Sequence, residues 1–249
     1  MKLYKDLAEY YFTIESKHRD ITDDIAFIRT FIHGQQSPKL IDLGCGTGEH
    51  IGALTKYGLK CTGIDASDEM IKFAKKRFPQ NINFIKSSIT SFDFYNEFDF
   101  AISLFGSFNY LIEDSEIDKA LWNTYRSMKP DGIAIFEIWN SQPFEKIGHK
   151  EITHVSTSEY NNTIIERERG FKIIESGLKK IVEVDFNYLI KTGSNIEKLE
   201  DKHKMRTFTA EEITTFLKDN GFIIKQFYGN FLKEPYRENS SRIIVIFTK

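Results

Sequence analysis

The chain has 249 residues, 41% hydrophobic and 28% charged, with a net charge of −2. That balance excludes a disordered chain and suits one large α/β domain, or one domain with a sizeable insertion. No large basic block is present, so no nucleic-acid partner is expected.

Residues 3–15 and 20–33 read as helices. In the second, Ile21, Ile25, Ile28 and Ile32 share one face. Gly34 is placed to end it, and Pro38 prevents continuation. Residues 39–43 form a first strand and 49–57 a helix that Gly58 stops, with a second strand at 60–64. Ser67 caps the next helix, whose apolar face of Met70, Ile71, Phe73 and Ala74 runs up to Phe78-Pro79. Strands follow at 82–85 and 98–104. A helix spans 114–128, a turn is formed by Lys129-Pro130-Asp131-Gly132, and an apolar strand runs over 133–139. Strand and helix alternate regularly from 39 to 139, which predicts a parallel, doubly wound sheet with right-handed crossovers.

From about 149 to 207 the pattern changes. The stretches His149–Thr157 and Asn162–Ile174 are rich in Ile, Thr and Glu and lack helix caps. Residues 181–190 alternate, with Val182, Val184, Phe186, Tyr188 and Ile190 on one side. Three or four antiparallel strands with one wet face are expected. Thr209 and Glu212 form a capping box that restarts a helix, and residues 222–228 and 242–247 supply two final strands. The expected fold is therefore α/β: a doubly wound, Rossmann-like, seven-stranded sheet with an inserted antiparallel β subdomain. The sheet domain takes residues 1–140 and 208–249, and the insertion 141–207. Ligands bind at the C-terminal edge of such sheets. The insertion lies near that edge, placed to act as a substrate cap or a dimer surface.

No stretch approaches the ~20 apolar residues of a membrane span, and Met1-Lys2-Leu3-Tyr4-Lys5-Asp6 holds no apolar leader core. A cytoplasmic protein without a membrane partner is expected. Cys45 and Cys61 match neither a metal spacing nor a disulfide framework, and no metal is expected.

The most informative run is Leu40-Ile41-Asp42-Leu43-Gly44-Cys45-Gly46-Thr47-Gly48. An apolar strand ends beside an acid and breaks into a glycine loop that opens a helix. Such glycines let the backbone turn sharply and let a ligand lie against bare main chain. A second acid, Asp65, ends the next strand roughly 20 residues on, where a Rossmann-type sheet places a carboxylate beside a ribose. The dinucleotide pattern G-x-G-x-x-G fails, however. The sixth residue from Gly44 is Glu49, and from Gly46 it is Ile51. A nicotinamide coenzyme is therefore disfavoured.

The string Asp42-Leu43-Gly44-Cys45-Gly46-Thr47-Gly48, followed by Asp65, resembles motif I of the class I S-adenosylmethionine (SAM) methyltransferases. The resemblance implies SAM as methyl donor, S-adenosylhomocysteine as product, and a small-molecule acceptor. It implies that Gly44, Cys45 and Gly46 lie under the methionine part, Asp42 near its ammonium, and Asp65 on the ribose hydroxyls. Ala66 and Met70 would touch adenine. Ser88 and Ile89 stand where the family often has an Asp and an apolar residue, with serine a weaker, uncharged partner for the adenine amino group. Leu104 and Phe105 would bring backbone beside the transferred methyl.

The segment from Tyr4 to Tyr11 resembles the entrance segment of small-molecule methyltransferases. Tyr11 would contact the cofactor, and Arg19 would reach its carboxylate. The whole chain is most similar to the N-methyltransferases of nucleotide-linked amino sugars, which implies a homodimer. In that subgroup a Tyr and a His lie near the amine. Tyr4 matches the first, but the second position is Tyr110. A tyrosine, with its ordinary pKa near 10, is a poor base at neutral pH. Trp139 completes the candidate acceptor pocket. O-methylation of a small hydroxyl or carboxylate compound and a non-catalytic SAM-binding module are the alternatives.

Overall fold

The computed structural model describes residues 1–17, 19–32, 36–80, 82–147, 152–176 and 179–249. Gly34 and the start of the His149–Thr157 stretch lie outside the described residues. The strands are β1 (Lys39–Leu43), β2 (Lys60–Asp65), β3 (Ile82–Lys86), β4 (Phe98–Ser103), β5 (Met128–Trp139), β6 (Ile152–Tyr160), β7 (Thr163–Ser176), β8 (Lys180–Thr192), β9 (Asn195–Thr207), β10 (Ile223–Tyr228) and β11 (Arg242–Thr248). The helices are α1 (Tyr11–Ser16), α2 (Thr22–Arg29), α3 (Glu49–Thr55), α4 (Asp68–Arg77), α5 (Asp114–Ser127), α6 (Ser141–Ile147) and α7 (Ala210–Asp219).

Seven strands form one sheet in the order β10-β11-β5-β4-β1-β2-β3. The neighbours from β5 to β3 pair in parallel, as their alternation with helices requires. β11 runs antiparallel to both β5 and β10. Ile41, Leu43, Ala101 and Phe136 pack on one face of the sheet; Leu40, Phe100, Ile102 and Ile135 pack on the other. Burial on both faces explains why these strands read as apolar runs.

The second sheet is antiparallel, in the order β6-β7-β8-β9. The chain leaves the first sheet at Asn140 and returns at Phe208, which bridge each other. Val182, Val184, Phe186, Tyr188 and Ile190 of β8 face inward, as their alternation predicts. Leu3, Leu7 and Ile14 fill the space beneath them. The N-terminal segment is therefore clamped between the insertion and the main sheet.

The structure corrects three local expectations. Residues 3–10 form turns, and only Tyr11–Ser16 is helical. The Tyr4 carbonyl accepts from the Ser67 hydroxyl, which takes it out of any helical ladder. The turn at Lys129–Gly132 is a bulge inside β5: Phe98 pairs with Met128, but Phe100 pairs with Ile133. Asp131 holds the left-handed conformation (φ 61°) that this extra length needs. Helix α6, at the start of the insertion, was not placed by the sequence reading; Asn140 caps it, its Oδ1 accepting from Gln142 N–H at 3.3 Å. Among the described residues, no helix is long and apolar enough to cross a membrane.

Candidate active site

Strand β1 ends at Leu43, and Gly44 turns the chain with φ 87°. A Cβ at Gly44 would lie 2.4 Å from Ser107 Oγ. Only glycine satisfies both the left-handed backbone and the close approach. The Gly44 and Cys45 N–H groups both donate to the Ile64 carbonyl at 2.9 Å, tying the loop to the end of β2. There Asp65 accepts from Gly46 N–H (3.0 Å) and from Ser67 N–H (2.8 Å). The second acid thus braces the glycine loop as well as facing the cavity.

Carboxylates concentrate at this point. Burial pushes the Asp42 carboxyl up to about 7; His50 pulls it down, while Asp65 and Glu49 push it further up. Burial also raises Asp65, against the two N–H groups that hold its charge. The Cys45 thiol is driven well above its ordinary value by burial and by the neighbouring Asp42. It stays protonated and is no nucleophile. A cavity lined this way favours a cation.

The cavity measures about 300 Å³. Every cofactor candidate except Met70 lines it, as do Tyr4 and Tyr110. Met70 lies on the inner face of α4 and is fully buried in the core. Ser88 lines the wall with its hydroxyl turned to Thr90 Oγ at 2.9 Å. Arg19 is present but committed. Its Nη1 donates to both oxygens of Glu137 at 2.7 Å, and its Nη2 lies 2.6 Å from Asp24. It also covers the Phe105 ring at 4.3 Å. Glu137 is fully buried; burial works against its charge, but Arg19 and Arg242 outweigh that and hold the carboxyl low. Its Oε2 accepts from Phe105 N–H at 2.9 Å, fixing the loop after β4. Sequence reading missed Glu137, His50 and Glu15. Glu15 stands one helical turn after Tyr11, which was a usable signal; Glu137 lies mid-strand and carried none.

A second cavity of about 290 Å³ adjoins the first, sharing Tyr4, Tyr11, Glu15, Arg19, Phe105 and Tyr110. Its other walls come from the insertion, the end of β5, Leu3 and the start of β11. Trp139 stacks on Phe144 with ring centroids 5.8 Å apart, and Phe171, Phe186 and Met205 continue the apolar lining. Two further cations face it. Arg242 is paired with Glu137 at 2.7 Å. Arg169 has a buried Nε without a hydrogen-bond partner among the described residues. Burial, and then Arg167, depress its pKa, so its charge is under-compensated. Arg167 itself is paired with Glu15 at 2.6 Å.

Residues 40–132 match a methyltransferase domain family. The chain is similar to YqeM of Bacillus subtilis, 28% identical over 82% of this chain and 81% of that protein. It is also similar to the dTDP-3-amino-3,6-dideoxy-alpha-D-glucopyranose N,N-dimethyltransferase of Streptomyces fradiae, 24% identical over 78% and 73% of the two chains. Among solved structures, a SAM-dependent methyltransferase from Clostridium acetobutylicum superposes with a TM-score of 0.81 at 18% identity, covering 98% of each chain. SAM-bound CalS10, an amino pentose methyltransferase from Micromonospora echinaspora, gives 0.77 at 18% identity over 96% of each. The chain carries a methyltransferase domain over residues 40–132, on a fold it shares with solved methyltransferases. The cavity fits a SAM-dependent enzyme on its own chemistry. SAM carries a sulfonium and an ammonium against one carboxylate, a net positive charge, and Asp42, Asp65 and Glu49 surround the space with acid.

Proposed function

We propose that this methyltransferase N-methylates the amino group of a nucleotide-linked amino sugar. The observation that carries the reading is the junction of the two cavities. They share Tyr4 and Tyr110, whose hydroxyls are hydrogen-bonded to each other, and the acceptor-side chamber adds an aromatic wall and an under-compensated Arg169. Aromatic faces suit the apolar side of a deoxysugar ring, and an under-compensated guanidinium suits a phosphate. The similarity to the Streptomyces fradiae dimethyltransferase supports the same acceptor.

SAM supplies an electrophilic methyl on a sulfonium. The protein aligns the acceptor with that carbon and keeps water out. In this reading Asp42 faces the ammonium of the cofactor and Asp65 its ribose hydroxyls. Gly44 and Gly46 let the methionine portion lie against main chain. Ser88 and Ile89 border adenine, while Leu104 and Phe105 flank the methyl. Tyr4 and Tyr11 close the entrance. Arg19 reaches the cofactor carboxylate only as a shared cation, because Asp24 and Glu137 already hold it. The insertion, residues 141–207, acts as the acceptor cap.

Incubation with methyl-labelled SAM and a panel of dTDP-amino-deoxysugars tests the acceptor. Label on the amino nitrogen is expected. Transfer only to hydroxyl or carboxylate compounds would overturn the reading.

A further inference from the structure

A chain of four side chains runs from the junction of the two cavities into the inserted sheet. Tyr4 Oη lies 2.7 Å from Tyr110 Oη. Tyr110 Oη lies 2.6 Å from His203 Nδ1. His203 Nε2 lies 2.9 Å from Asp201 Oδ2, which also accepts from Leu3 N–H at 2.8 Å. His203 and Asp201 stand on β9, and both are buried. Beyond them, Asp201 also borders a polar groove with Glu168, Asp185 and Lys202.

The direction of every hydrogen bond follows from one charge. Burial disfavours the Asp201 carboxylate, but the Leu3 N–H and His203 outweigh it and hold the carboxyl below its usual range. An ionised carboxylate only accepts, so His203 Nε2 must donate to it. Burial pushes the His203 pKa down, so the ring is neutral and Nδ1 carries a lone pair. Tyr110 O–H must then donate to Nδ1, and Tyr4 O–H must donate to Tyr110. The Tyr4 oxygen keeps its lone pairs for a donor in the cavity.

We propose that His203, positioned by Asp201, is the terminal proton acceptor for methyl transfer, reached through Tyr110 and Tyr4. The proposal rests on the acceptor being an N–H compound. An acceptor ammonium gives one proton to the Tyr4 oxygen as the Tyr4 proton passes to Tyr110 and the Tyr110 proton passes to His203 Nδ1. Both tyrosines end neutral, and neither needs to ionise. That matters because burial first, then neighbouring charges, raise both phenols above their ordinary value. The amine so formed has the lone pair that makes the N–C bond, while the C–S pair departs with sulfur. The imidazolium is held by Asp201, whose groove side leads the proton outward. This chain does the work that Tyr110 alone, as a simple base, could not.

The charged and titratable groups around His203 are Asp201 on its own strand, Tyr4 and Glu15 of the N-terminal segment, the Met1 amino group, and Tyr110 after β4. Phe186 of β8 closes the remaining side, its ring centroid 4.8 Å away.

Nitrogen-15 NMR of the histidine side chains in the full-length protein tests the direction without any acceptor. His203 should be the neutral Nε2–H tautomer at pH 7, and Asp201→Asn should shift it toward Nδ1–H. An Nδ1–H tautomer or an imidazolium in the wild type would overturn the proposal. The kinetic arm uses methyl-labelled SAM with dTDP-3-amino-3,6-dideoxyglucose. Tyr110→Phe and His203→Gln should lower kcat by ~10²–10⁴-fold at pH 7, with KM and SAM affinity nearly unchanged. The loss should shrink at higher pH, where the free amine is abundant. Folded variants that keep kcat within threefold across the pH range would sink it. If the wild type methylates no amino sugar, the acceptor reading fails, and the NMR result still decides the direction of the chain.

Discussion

Asp42→Asn should separate cofactor affinity from stability. Asp42 is only 2% exposed at the end of β1, and burial pushes its carboxyl from 3.8 to about 7. A displacement of that size costs the folded protein ~4 kcal/mol once the group is ionised. The folded state holds this proton more tightly than the unfolded chain does. The stability Asp42 contributes is therefore full below pH 3.8 and lost as pH rises through about 7. Asparagine keeps the shape of the protonated acid and never ionises. At pH 8 the variant without cofactor should gain up to ~4 kcal/mol, roughly 8–16 °C in Tm for a chain of this size. At pH 4 the gain should fall below ~1 kcal/mol, because the wild-type group is then protonated in the fold and about half protonated in the unfolded chain. The assay is thermal unfolding at the two pH values, with and without SAM. Saturating SAM at a hundred times its Kd should stabilise the wild type by about 2.7 kcal/mol, and the variant far less. An equal Tm gain at both pH values, or an undiminished SAM effect, would refute the electrostatic reasoning.

Three further substitutions probe the same cavities. Gly44→Ala should lose ~1–2 kcal/mol for the left-handed backbone and another ~1–3 kcal/mol for the overlap with Ser107. In urea unfolding, adding Ser107→Gly should recover only the second part, and complete recovery would contradict the backbone argument. Asp65→Ala leaves the Gly46 and Ser67 N–H groups without their acceptor, at ~1–3 kcal/mol each if they stay dry. Calorimetry should find SAM binding at least ~10-fold weaker; unchanged affinity would remove Asp65 from the site. Arg169→Gln should raise KM for a dTDP-amino sugar by ~10–100-fold, the worth of a charged hydrogen bond, and leave SAM affinity intact. An unchanged KM would place the phosphates elsewhere.

What sequence could disclose divides along the range of the interactions involved. The glycine loop was legible because its demands are local: Gly44, Gly46 and Gly48 all take positive φ. Asp65 was legible because parallel pairing of Leu43 with Ile64 brings the two strand ends together. Met70 sat on the expected helix, but periodicity did not say that its side chain fills the core rather than the cavity. Arg19 was visible as a charge near the site. Its partner Glu137 lies 118 positions away, so sequence could not show that the charge was already spent. His203 is the clearest case. It stands between Lys202 and Lys204 in a strand of alternating charge, with no motif to mark it. It enters the core because β9 pairs with β8 in one register, with Val184 opposite His203. Side chains alternate strictly across a sheet, so a one-residue slip would turn His203 to solvent and bring a lysine inward. Tyr110 would then face an ammonium instead of a lone pair. The proton path thus depends on a register specified along the whole of Asn195–Thr207, far from the glycine loop that discloses the chemistry.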